Sequence, residues 1–478
     1  MRPRPRQRPW PHGRGQPPAD ATNESARALP AHVQREAPTL DPGESAAFAR
    51  GKLDRKRFHV QNGARMTTPA QAEKDLTLAR DGGTPARTKA EPPMFPGGME
   101  VGQEELEALG RVIESKNLFR YYGVGKGPDE VASFEREFAE LMGAKHALCL
   151  NAGSSALICA LIGAGVGEGD EVIVPAYTWN ATPNAVLASR AIPVLAEVDE
   201  SLTLDPQDVE RRITSRTRAI IPVHMRGAPA DMAALTAIAE RHGLVLIEDV
   251  CQAAGATFRG RRLGTFGDAG AFSLQFNKII TTGEGGVMIT DRDDLLDLAL
   301  DVHDCANSVR RGVGLPRFAG YNFRASELTG AMARVQLSRL DGLLERMRRN
   351  HARLSAQVGG LPGLTLRRGN DDDGDAGIAL IAFAEDPERA RDAVDALNAE
   401  GVLAMRIYAP DTPDLHVYPF WAPVLAAIEA SGGVAPECPR TLELLERSIH
   451  IDVSPLCEEQ DLDEIAFAFE KVAKQVIA

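Results

Sequence analysis

Four kinds of residue in this chain have types and spacings suited to chemistry. The first is Lys278, which closes a polar turn between two apolar runs, Ala271-Phe272-Ser273-Leu274 and Val287-Met288-Ile289, beside the glycine turn Gly283-Glu284-Gly285-Gly286. A lysine in a polar turn is ordinarily a solvated surface charge. Held between buried strands it loses hydration, and desolvation favours the neutral amine that forms Schiff bases. The second is Asp249, at the end of the apolar run Leu244-Val245-Leu246-Ile247. A carboxylate buried there is costly unless it meets a positive partner. The third is Gly153-Ser154-Ser155, between the apolar run Ala147-Leu148-Cys149-Leu150 and a helical stretch from Ala156. Free amides at a helix start attract anions, although serines also cap helices for structural reasons alone. The pattern is neither GxxxxGK[ST] nor GxGxxG, so a nucleotide is not indicated. The fourth is Trp179, which could stack on a flat ring, though aromatic residues are more often core.

The elements that position these residues alternate between strand and helix. Glu171 to Pro175, Ile192 to Leu195, Thr217 to Val223 and Leu244 to Ile247 read as strands, and Asn184 to Ser189 and Asp231 to His242 as helices. Near-continuous apolar strands in βα units indicate an α/β fold with a mostly parallel sheet covered by helices. In such sheets ligands sit beyond the carboxyl ends of strands. Gly153 to Ser155, Trp179, His224, Asp249 and Lys278 all fall at or near such ends. An anion cup, a ring-stacking face, a carboxylate and an imine-forming amine together describe pyridoxal 5′-phosphate, whose pyridine nitrogen a carboxylate keeps protonated.

Bulk properties narrow the alternatives. The chain has 478 residues, a net charge of −13 and 44% hydrophobic residues. An acidic chain has no general attraction to nucleic acid or an anionic membrane, and no apolar run is long enough to span a bilayer. Six scattered cysteines form no CxxC pair and no metal-ligand spacing, which indicates free thiols in a reducing, cytoplasmic setting and no metal site. Residues 1–92 read as a disordered, Arg/Pro-rich extension followed by an arm from Thr77 to Pro93. Met66 is a candidate initiator. Residues 93–340 read as the large domain and 341–478 as a small α+β domain entered by a helix from Arg334 to His351.

Taken in order, the motifs resemble those of the DegT/DnrJ/EryC1/StrS family of PLP-dependent sugar aminotransferases, from about Pro93 to the carboxyl terminus. They are Gly127-Pro128 with Phe134-Glu135-Arg136-Glu137-Phe138, the Gly-Ser-Ser-Ala-Leu turn, Trp179-Asn180-Ala181-Thr182, Ile247-Glu248-Asp249 with Gln252-Ala253-Ala254-Gly255, the Lys278 segment, and Gly320-Tyr321-Asn322-Phe323-Arg324. The resemblance implies a fold-type I transferase. It implies that Lys278 forms the Schiff base with the cofactor and shuttles the substrate proton, and that Asp249 pairs with the pyridine nitrogen. It further implies that Gln252 contacts the ring hydroxyl region, Trp179 stacks on the ring, and Gly153, Ser154, Ser155 and Ser273 hold the phosphate. Asn322 would reach the phosphate of a neighbouring subunit, which implies a homodimer with shared active sites.

Two features bear on substrate, one a departure from the family pattern and one a further resemblance. Where the family often has Ser-Phe-His, this chain has Ser273-Leu274-Gln275, which resembles the inositol-amine and related antibiotic-pathway branches. The Leu118-Phe119-Arg120-Tyr121 loop resembles that of transaminases acting on long-chain keto-sugars. Arg120, Tyr121, Gln275 and His416 are therefore the candidate substrate residues, with Arg406 a further candidate for a donor carboxylate. The expected reaction moves an amino group from glutamate or glutamine to a keto-sugar or keto-cyclitol. A PLP-binding regulator without turnover and a PLP-dependent lyase or dehydratase are the rival expectations.

Overall fold

A computed structural model of the chain describes residues 76–122, 129–317, 319–432 and 437–477. Most of the amino-terminal extension, including Met66, lies outside the described residues, as does the Gly127-Pro128 motif.

Seven strands form the central sheet: β1 (His146–Leu150), β2 (Glu171–Pro175), β3 (Ile192–Ala196), β4 (Thr217–Ile220), β5 (Val245–Asp249), β6 (Ala269–Ser273) and β7 (Gly286–Thr290). Their spatial order is β1-β7-β6-β5-β4-β2-β3. The pairs from β3 through β6 are parallel, and β7 runs antiparallel to both of its neighbours. Side chains alternate across the sheet, so an apolar run fills two cores at once. Val172 and Val174 face the helix Gly153–Gly163 through Leu157 and Leu161, while Ile173 joins the opposite core with Phe134 and Phe138 of the helix Glu130–Met142. Phe138 meets Phe272 edge-on, with ring centroids 5.1 Å apart. The fold is α/β with a mostly parallel sheet between helices, as the strand pattern implies.

Some boundaries move for identifiable reasons. The helix read as starting at Asn184 spans Ala181–Ala188, because Pro183 lies in the first turn, where its missing N–H is not needed. The helix read from Ala156 begins at Gly153, after the extended Ala152. β4 ends at Ile220 rather than Val223, two residues before Pro222. The helix read from Arg334 to His351 spans Glu327–Val358, capped by Ser326, which accepts from the Thr329 amide at 3.3 Å. Residue 340, the expected domain boundary, falls inside this helix.

A second, four-stranded antiparallel sheet joins Thr365–Leu366, Ala379–Phe383, Ser448–Asp452 and Ala404–Met405, in that order. The helices Pro387–Ala399 and Glu459–Val472 share its core. The segment after Ile407 contains the helix Ala422–Ala430.

The arm docks on this second sheet's helices through buried charge. The fully buried Glu400 carboxylate accepts from the Ala79 and Ala86 amides at 2.7 and 2.8 Å and from Lys471 Nζ at 2.7 Å. Lys471 also donates to the Thr84 carbonyl at 2.9 Å, and the buried Arg87 pairs with Asp461 at 2.8 Å. Removing one partner of a buried pair strands the other charge. Lys471→Met is therefore expected to cost roughly 3–5 kcal/mol in urea unfolding, and an unchanged unfolding midpoint would remove the arm contact from the account of stability.

Candidate active site

The carboxyl ends of β1, β2, β5 and β6 and the start of β7 meet at one end of the sheet. Tight backbone contact brings them together. A Cβ on Gly286 would collide with the Ala152 carbonyl group and press on the Gly153 nitrogen. A Cβ on Gly153 would lie 2.8 Å from Ser273 Cβ and 2.9 Å from Cys251 Sγ. Gly153, Ser273 and Cys251 thus share one small volume, and the first turn of the helix Gly153–Gly163 opens beside it.

Ser154 is exposed and Ser155 buried. The Ser155 hydroxyl donates to Asn151 Oδ1 at 2.7 Å, and Ser273 Oγ accepts from the Gln275 amide at 3.3 Å. The first amides of a helix lack intrahelical partners, so this turn presents N–H groups suited to an anion.

Asp249 lies one strand away and is 5% exposed. Its Oδ1 accepts from the Cys251 amide at 3.1 Å and its Oδ2 from the Thr182 hydroxyl at 2.8 Å. Among the described residues no cation pairs with it. Lys278 is half-buried, and among the described residues its ammonium makes neither a hydrogen bond nor an ion pair. Its carbonyl accepts from the Gly97 amide at 3.3 Å, which ties its turn to the segment preceding the first long helix. Burial pushes the Cys251 thiol well up; the Asp249 carboxylate adds to the rise and Lys278 opposes it. One thiol therefore lies in the fields of both the carboxylate and the amine.

Trp179 is 44% exposed, and His416 lies beside it with ring centroids 4.9 Å apart. The segment carrying His416 is held by main-chain bonds, Thr178 N to His416 O at 2.9 Å and Asn180 N to Leu415 O at 3.1 Å. Asp414 accepts from His416 Nδ1 at 2.7 Å; burial pushes its carboxyl up, but the His416 ring and amide together with the Arg226 charge hold it below its usual range. Gln252 Oε1 accepts from the Arg226 amide at 3.0 Å, so its acceptor braces a residue in the left-handed region at φ 54°. Gln275 Oε1 accepts from the Asn277 amide at 2.8 Å.

Two candidates for substrate are turned inward. The Arg120 guanidinium is buried, gripping both Glu135 oxygens at 2.8 and 2.9 Å and the Cys149 carbonyl at 3.1 Å. In this chain it fastens the loop to β1. Tyr121 donates to His303 Nε2 at 2.9 Å, because His303 Nδ1 is spent on the Leu300 carbonyl at 2.8 Å. Burial, aided by Arg120, lowers the His303 pKa to about 3. Arg406 lines a separate surface groove with Asp386, Arg391 and Glu446. His224, also at a strand end, bonds Glu248 at 3.2 Å and serves the packing of the β5 end.

Asn322 is exposed. Its segment runs beside the β1 end, where Asn151 N donates to Phe323 O at 2.9 Å. Sequence reasoning does not single out Thr182 or Cys251, which touch Asp249 directly. Thr182 is visible only as the last residue of the Trp-Asn-Ala-Thr motif, and Cys251 only as a buried thiol. Among the described residues no group of three or more His, Cys, Asp or Glu side chains could hold a metal ion, and no helix is long and apolar enough to cross a membrane.

A mostly parallel α/β sheet thus collects a helix start with open amides, a buried carboxylate and a half-buried lysine at shared strand ends. The chain belongs to the DegT/DnrJ/EryC1/StrS aminotransferase family, whose model matches residues 100–470. It is 37% identical over 424 residues to an L-glutamine:2-deoxy-scyllo-inosose aminotransferase of Micromonospora echinospora, covering 83% of this chain and 97% of that one. It is 31% identical over 388 residues to the spore coat polysaccharide biosynthesis protein SpsC of Bacillus subtilis (strain 168), covering 78% of this chain and 95% of that one. Among solved structures it resembles 3-amino-5-hydroxybenzoic acid synthase, with a TM-score of 0.68, 31% identity, and coverage of 81% and 99%.

The histidine in the loop clamp has a measurable consequence. An unfolded histidine takes up a proton below about pH 6.5, whereas folded His303 stays neutral down to about 3. The unfolded state then binds more protons, so this group's contribution to stability falls with pH below about 6.5, by at most about 1.4 kcal/mol per pH unit. Urea unfolding of His303→Gln should show a shallower loss between pH 6.5 and 5.5; an unchanged slope would contradict the neutral, Tyr121-bound histidine.

Proposed function

We propose that this chain is a PLP-dependent aminotransferase that moves an amino group from glutamine or glutamate to a keto-cyclitol or keto-sugar. One observation carries the reading: a buried carboxylate and a half-buried lysine, neither paired with an opposite charge among the described residues, lie at the same strand ends as a helix-start anion cup. These residues fit the cofactor. Gly153 lets the helix start lie against Ser273, which brings a hydroxyl beside the open amides, and among the described residues Asp249 has no positive partner, the charge that a pyridinium would supply.

When bound, the cofactor supplies an electron sink for the bonds at the substrate α-carbon. The chain supplies the rest. Gly153, Ser154, Ser155 and Ser273 hold the phosphate, and Asp249 keeps the ring nitrogen protonated. Gln252 would meet the ring hydroxyl through its amide NH2, and Trp179 would cover one ring face. Lys278 anchors the cofactor's carbonyl carbon and carries the proton removed from the donor to the position where the acceptor needs it. His416, against Trp179, stands at the mouth and can meet an acceptor hydroxyl. Gln275, whose amide NH2 group makes no hydrogen bond among the described residues, sits on the Lys278 turn.

The substrate classes rest on the relatives' names, in which L-glutamine is the donor and 2-deoxy-scyllo-inosose the acceptor. A homodimer completes the reading. Asn322 and Tyr321 are exposed, as are Leu118, Tyr122, Val309, Val313 and Leu315, and a second copy would cover apolar groups of this kind and receive Asn322 at its phosphate turn. Six free cysteines fit a reducing cytoplasm. The test is single-turnover spectroscopy of the holoenzyme. Glutamine or glutamate should shift the cofactor's visible absorbance, and a keto-inositol or keto-sugar should reverse the shift with one amine transferred. Lys278→Ala should lower turnover by at least about a thousandfold, the upper range for loss of a general acid–base group. No donor-dependent shift with any amino acid would overturn the proposal.

A further inference from the structure

Thr178 and Thr182 are both 1% exposed and face each other across the start of the helix Ala181–Ala188, with hydroxyls 2.9 Å apart. Each hydroxyl has one proton to donate. Thr182 uses its proton on Asp249 Oδ2 at 2.8 Å, so within the pair it must accept from Thr178. The other acceptor open to Thr178 is the Trp179 carbonyl at 3.4 Å, a long contact. Both protons therefore point along one line toward the carboxylate. Thr178 is in turn fixed by its amide bond to the His416 carbonyl at 2.9 Å. The second oxygen of Asp249 is held by the Cys251 amide at 3.1 Å. The carboxylate is thus gripped at both oxygens by neutral donors.

We infer that Thr182 is a positioning residue for the cofactor's ring nitrogen, acting through Asp249, with Thr178 polarising it from behind. The inference rests on the PLP reading. A hydroxyl donating to a carboxylate stabilises the ionised form. It also fixes the direction in which the carboxylate presents its lone pairs. With the hydroxyl gone, the carboxylate becomes more basic and freer to turn, and it draws the shared proton away from the ring nitrogen. No proton is lost or gained by the pair; its position shifts from nitrogen toward oxygen.

The test uses the full chain stripped of cofactor and reconstituted with pyridoxal 5′-phosphate labelled with 15N in the ring. Thr182→Val should weaken cofactor affinity about tenfold or more, the scale of one hydrogen bond to a charged group. It should also move the 15N resonance toward the unprotonated value. Thr182→Ser restores the hydroxyl and should restore both readouts. Thr178→Val leaves the direct bond in place and should give a smaller change in the same direction. Wild-type affinity and resonance in Thr182→Val would overturn the inference. So would equal losses in Thr182→Ser and Thr182→Val, since packing rather than the hydroxyl would then be responsible. If the wild-type chain takes up no pyridoxal 5′-phosphate, the cofactor reading fails and the inference with it; uptake by wild type and Thr182→Val alike overturns the inference alone.

Discussion

A carboxylate at the end of a buried strand must be stabilised by its surroundings, and the fold is arranged around that requirement at Asp249. β5 lies at the centre of the sheet order, so its end is walled by neighbours on both sides and water is largely excluded. The carboxylate is 5% exposed and is met by one backbone amide and one hydroxyl. Burial of a charge without a counter-ion is among the more expensive things a protein can do. A site that leaves the charge open to a cationic ring converts that cost into affinity for the ring.

The same end of the sheet is closed by glycine. Gly286 lets the start of β7 lie against the Ala152–Gly153 peptide, and Gly153 lets the helix start approach Ser273 and Cys251. Because β7 runs antiparallel, its first residue, rather than its last, reaches the site. The lysine segment between β6 and β7 is closed at its base by the Leu274 amide on the Gly285 carbonyl at 2.9 Å and tied at Lys278 by the Gly97 amide, which limits where Lys278 can go. The second sheet enters through the segment around His416, whose main chain is bonded to residues 178 and 180. Its side chain is thereby delivered to Trp179.

Much of this was legible in the sequence because it rests on periodicity and ordered motifs. Apolar runs covered on both faces read as parallel strands, and their ends collect Gly153, Trp179, Asp249 and Lys278 from residue order alone. What could not be read depends on side-chain partners distant in the chain. Arg120 is, by residue type, as good an anion ligand as any; only the approach of Glu135 and Cys149 turns it into a clamp. Tyr121 is likewise taken by His303, 182 residues away. Thr182 has the opposite history: a small hydroxyl residue in a first helical turn, given meaning by a carboxylate 67 residues later. The arm also reads as an outlier in composition, and its docking depends on Glu400 and Lys471, far downstream.

The central claim is that Lys278 carries the cofactor. The most direct measurement is borohydride reduction of the purified holoprotein, followed by proteolysis and mass spectrometry of the lysine-containing peptides. The account predicts that the mass of a reduced pyridoxal phosphate adduct appears on the peptide containing Lys278 and on no other. An adduct on a different lysine, or none in a protein reconstituted with pyridoxal 5′-phosphate, would contradict it.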